Sequence, residues 1–92
     1  MTRYLVERYI PDAGNLTVQE LKIIAQQCLF AQLELEDPIQ WIHSTITANR
    51  MVCLYIADNE AILQEHARRC GLPIQRISEV SAIIDPANIA LD

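Results

Sequence analysis

Two helix stops, Asp37-Pro38 and Gly71-Leu72-Pro73, cut this 92-residue chain into segments short enough to confine it to a small layered domain. Proline lacks the N–H that a helix interior needs, and glycine supplies the left-handed backbone that commonly closes a helix. Ahead of the first stop, Thr17 and Glu20 have the spacing of a capping box, and Leu16 and Leu21 that of a hydrophobic staple. Leu21, Ile24, Ala25, Cys28 and Leu35 then recur at helical spacing, which predicts a helix over 18–35. Ahead of the second stop, Asp58 is placed to cap a helix over 59–70 whose inner face is Ile62, Leu63, His66, Ala67 and Cys70. The remaining runs, 3–10, 39–47, 51–57 and 76–84, are rich in strand formers, and Ala48-Asn49-Arg50 suits a three-residue hairpin loop.

The resulting order, β-α-β-β-α-β, is the ferredoxin-like α+β pattern: a four-stranded antiparallel sheet with both helices on one face. The first and third strands are expected in the centre. One domain over 1–85 and a tail over 86–92 account for the whole length.

Composition removes several functions. Net charge is −5, and one lysine with six scattered arginines makes no basic run, so nucleic acid is not an expected partner. With only two glycines, neither a dinucleotide fingerprint nor a phosphate loop can be written. The longest apolar run, Met51–Ile56, is far too short to span a membrane. Three cysteines without a C-x-x-C pair argue against a disulfide scaffold, and no signal-like leader precedes the first strand run, so a cytoplasmic location is expected.

Strict strand alternation sorts side chains onto two faces. Val6, Ile42, Ile46, Val52, Leu54, Ile56, Val80, Ala82 and Ile84 are expected to meet the helices. The other face would carry Leu5, Glu7, Tyr9, Trp41, His43, Thr45, Met51, Cys53, Tyr55, Ile77, Glu79, Ser81 and Ile83. So apolar a face predicts a homodimer through the open side of the sheet, centred on Trp41, Tyr55 and Ile83. With Thr47 opposite Met51, His43 would face Tyr55 and Thr45 would face Cys53. His43, Glu7, Glu79, Cys53 and Tyr55 would then converge on one half-buried surface, where a dication would relieve the cost of burying carboxylates. These five are the candidate metal residues, with His43 as the anchor.

Arg3-Tyr4-Leu5-Val6-Glu7-Arg8, Trp41-Ile42-His43-Ser44, Cys53-Leu54-Tyr55-Ile56-Ala57, His66 to Pro73 and Ile77-Ser78-Glu79-Val80 together resemble a family of small bacterial proteins. Its members are ferredoxin-like proteins described as nickel-binding, and the blocks span residues 3–85 in the family's order. The resemblance implies a dimeric α/β barrel that binds a divalent metal and has no established reaction. Ile56-Ala57-Asp58 departs from the Glu-Ala-Pro-like sequence expected before the second helix.

Each candidate also has a plainer reading. His43 can be a hydrogen-bonded strand histidine, Glu7 an ion-pair partner and Cys53 a small buried hydrophobe. His66 and Cys70, four apart, lie on the stripe facing the sheet and read as core. A mixed N/O/S set suits nickel, zinc and copper alike. The competing function is a cofactorless dimeric-barrel enzyme, an isomerase or oxygenase, with His43 and a nearby Glu as acid and base and Tyr55 as proton donor.

Overall fold

In the computed structural model, which describes residues 1–87, the chain runs β1 (Thr2–Tyr9), α1 (Val18–Glu34), β2 (Ile39–Ile46), β3 (Arg50–Ala57), α2 (Glu60–Cys70) and β4 (Arg76–Glu79). A short 3₁₀ turn at Ala13–Asn15 precedes α1. The sheet order is β2-β3-β1-β4 with every pairing antiparallel, so β1 and β3 are central as expected. The tail assigned to 86–92 lies outside the described residues from 88 onward. Among the described residues no helix is long and apolar enough to cross a membrane.

The helix ends follow the local chemistry. Glu20 N–H donates to Thr17 Oγ1 at 3.1 Å and Thr17 N–H donates to Glu20 Oε1 at 2.9 Å, completing the capping box. Asn59, one residue beyond the expected Asp58, caps α2 by accepting from Ile62 N–H at 3.1 Å. Gly71 takes φ 73° as the left-handed terminator of that helix. The last strand is shorter than 76–84: pairing with β1 ends at Glu79, and one further bond, Val80 N–H to Arg3 O at 2.9 Å, closes it. Residues 81–85 form no strand, and Ile83 lines a hollow with Ile42, Leu54 and Ile56.

The faces of β2 and β3 differ from the alternation reading. Val6, fully buried, pairs with Cys53, and Tyr4 pairs with Tyr55, so Met51, Cys53, Tyr55 and Ala57 turn toward the helices. Val52, Leu54 and Ile56 take the open side. On β2 a bulge at Ile42 interrupts the ladder: Trp41 pairs with Tyr55, but His43 pairs with Leu54 and Ser44 with Cys53. A bulge adds one residue, so side chains three apart come to share a face. Trp41 and Ser44 therefore both point inward, and Trp41 Nε1–H donates to Ser44 Oγ at 2.8 Å across the irregularity.

The main core holds Tyr4, Val6, Ile39, Met51, Cys53, Tyr55, Ala57, Ile62 and Leu63. Ser44→Ala should cost about 1–2 kcal/mol by stranding the indole N–H of Trp41, read by chemical denaturation followed on Trp41 fluorescence. An unchanged midpoint would show that the bulge does not depend on this bond.

Candidate functional site

The five candidate metal residues do not share a face. His43, exposed, and Glu7, half-buried, stand on the open side. Cys53 and Tyr55 are fully buried beneath the helices. Glu79 pairs with Tyr4 at the end of the β1–β4 ladder, on the pleat that turns toward the helices, and is exposed at the sheet edge. The expected convergence fails because β3 is inverted relative to strict alternation and because the β2–β3 hairpin sets Ile46, not Thr47, opposite Met51, which pairs His43 with Leu54. The same displacement separates His43 from Tyr55 as an acid/base pair. It also takes Trp41 and Tyr55 away from the expected centre of a dimer interface.

Glu7 and His43 lie on strands separated by β3, and their register partners Val52 and Leu54 are two residues apart. Strand spacing and rise put their Cα atoms about 12 Å apart. The nearest cation recorded for Glu7 is Arg76 on β4, with Nε 3.9 Å from Oε2. Among the described residues no three His, Cys, Asp or Glu side chains come together in a way that could hold a metal ion. Between these two polar groups the central strands carry Leu5, Val52, Leu54 and Ile56, with Arg3, Thr45, Arg76 and Ser78 around them on the same pleat. A hollow of about 410 Å³ lies where Arg3, Ile42, Leu54, Ile56, Ile83 and Asp85 meet.

On the helix side the sequence reading missed a buried cation. Arg8 is 1% exposed, and among the described residues it makes no ion pair with a carboxylate. Its Nε–H donates to Leu72 O at 3.1 Å, and its Nη1 donates to Cys53 Sγ at 3.2 Å and more weakly to Tyr55 Oη at 3.4 Å. Ser44 Oγ–H donates to the same sulfur at 2.9 Å. With two donors on it and no exposed surface, Cys53 is held as a structural acceptor rather than offered to an ion. Burial pushes the Tyr55 phenol well above its usual pKa, an effect only partly offset by Arg8, so it stays protonated. Strand alternation already marked Arg8: it follows Tyr4 and Val6 at period two, and only its charge argued for the outside.

His66 is buried as the helical pattern implied, and its Nε2 lies 2.9 Å from Cys28 O. A carbonyl only accepts, so Nε2 carries the proton, and buried Nδ1 is left without a hydrogen-bond partner. Beside it, Cys28 on α1 and Cys70 on α2 lie together in a small cluster with Ala31. Contact with Cys28, with Leu72, His66 and Arg8 nearby, pulls Cys70 down to about 6 despite burial, while Cys70 and burial push Cys28 far up.

These shifts give a pH dependence. A Cys70 pKa lowered by folding stabilises the fold fully above the ordinary thiol range of about 8.5–9, and the contribution fades as pH falls through the lowered value. Cys28, raised, takes stability away once pH exceeds the ordinary thiol range. The melting temperature is expected to rise from pH 6 to about 8.5 and then decline, and Cys70→Ser should flatten the lower arm. Parallel profiles for wild type and Cys70→Ser, followed by calorimetry, would refute the assignment.

A family model described as nickel responsive protein, SCO4226-like, matches residues 4–80. The fold is similar to that in the crystal structure of SCO4226 from Streptomyces coelicolor A3(2), with a TM-score of 0.76 at 14% sequence identity. The alignment covers 89% of this chain and 99% of that one. Among curated proteins, none matches this sequence.

Proposed function

The chain belongs to the family of nickel responsive, SCO4226-like proteins, and from that membership we propose that it binds nickel as a homodimer, in metal handling or sensing. The metal sites of this reading lie between two open sheet faces. One observation carries it: His43 and Glu7 occupy the same face, the one the helices leave open, yet stand too far apart in one protomer to share an ion. Apposing two such faces would bury Ile42, Ile56 and Ile83 and bring polar groups of both copies to one boundary. Neutral imidazole and carboxylate are suitable donors for nickel, and equally for zinc or copper, so the choice of nickel rests on the family description. Cys53 and Tyr55, sealed on the helix side, are left out of the donor set, as is Glu79 on its separate pleat.

Sedimentation of dilute wild-type protein should give twice the monomer mass. Ile42, 41% exposed on the open face, can be changed with little effect on the core. Ile42→Asp should yield a folded monomer that has lost most of its nickel affinity, because dimer and site stand together. A wild-type monomer that binds nickel, or a monomeric Ile42→Asp that binds it as tightly as wild type, would end the reading.

A further inference from the structure

The cysteine pair between the helices has no part in that nickel reading. We propose that Cys28 and Cys70 are a modification site, a buried dithiol that a hydroperoxide converts into one reversible disulfide tying α1 to α2. Cys28 is fully buried on α1, and Cys70, the last residue of α2, is 8% exposed. They lie side by side, with Ile24, Trp41 and Leu72 packed around them. Their roles differ. The Cys70 thiol is held lower by its cluster neighbour Cys28 and by nearby His66 and Arg8, while Cys28 is pushed up by Cys70 and by burial. When protonated, Cys70 can donate to Ala67 O, 3.6 Å away. A thiolate favoured by its neighbours near the surface is the attacking member of a redox pair, and a neighbouring thiol resolves it.

The chemistry balances with the hydroperoxide as oxidant. The Cys70 thiolate attacks one peroxide oxygen, the O–O bond breaks, and Cys70 becomes a sulfenic acid while the departing hydroxide (alkoxide for an organic peroxide) takes up a proton. The Cys28 sulfur then attacks the Cys70 sulfur and the S–O bond breaks. The second hydroxide leaves as water with the proton of Cys28. Two thiols lose two electrons and the peroxide gains them. Cys53 is different: its sulfur accepts from both Ser44 and Arg8 and is fully enclosed.

The test treats the full-length, chelator-stripped protein with hydrogen peroxide and maps its peptides. The expected product is an intramolecular Cys28–Cys70 disulfide, reversed by dithiothreitol, with Cys70 consumed at least about tenfold faster than Cys53. In Cys28→Ala the reaction should halt at a Cys70 sulfenic acid that dimedone traps. If that variant fails to fold, the wild-type map and relative rates decide alone. A crosslink through Cys53, a crosslink only between chains, or equal consumption of Cys53 and Cys70 would overturn the proposal. None of these readouts depends on nickel or on the dimer.

Discussion

Arg8→Ala is expected to lose about 3–5 kcal/mol, enough to leave the domain largely unfolded near 37 °C. A chain of this length has only roughly 5–14 kcal/mol in total, so the loss is a large share. Two effects add. Truncation opens a void beneath α2 where the guanidinium had filled the space, and Leu72 O and Tyr55 Oη lose their donor. The Cys70 thiolate loses a nearby cation as well. Burial works against the charge on Arg8, yet Tyr55, Cys53 and Cys70 outweigh it and hold its pKa above the usual arginine value. Its cation–π geometry toward Tyr55, 5.8 Å to the ring centroid, is at the outer limit and adds little.

Arg8→Met separates packing from charge. It keeps most of the stem volume and relieves the cost of a buried cation, so it should stay within about 2 kcal/mol of wild type. Urea unfolding of the three proteins reads both numbers. Equal losses in Arg8→Ala and Arg8→Met would mean that the hydrogen bonds, and not the filled space, hold the core.

The architecture was legible because punctuation and capping act locally. Thr17 and Glu20, Gly71 and Pro73 each satisfy or terminate backbone within a few residues, and the element order follows. The faces of β2 and β3 were not legible, for two physical reasons. The run Met51–Ile56 is apolar throughout, so it has no alternation to say which side is inward; pairing with Val6 on β1 decides it. The bulge at Ile42 shifts every later residue of β2 by one, and nothing in Trp41-Ile42-His43-Ser44 announces it before the Trp41–Ser44 bond is seen. The candidate site was read from those two strands and split accordingly. On β1, period two correctly put Leu5, Glu7 and Tyr9 outward, and Glu7 kept its place beside the open face. His66 was read as core rather than ligand because it lay on the apolar stripe of α2, and there it is.

Nickel binding by His43→Ala tests the central claim most directly. His43 is exposed on the edge strand and makes none of the core's contacts, so its removal should leave stability within about 0.5 kcal/mol. If His43 anchors the metal, losing its imidazole should weaken nickel binding at least about tenfold to a hundredfold, comparable to or beyond the loss of a supporting partner in a metal site. Binding should also weaken in acid, since a coordinating imidazole nitrogen and a proton compete for the same lone pair. His66→Ala should lower stability and leave nickel affinity intact. Isothermal titration of nickel into untagged wild type, His43→Ala and His66→Ala gives the answer. The account predicts loss of affinity in His43→Ala alone; wild-type affinity in His43→Ala, or a greater loss at His66, would contradict it.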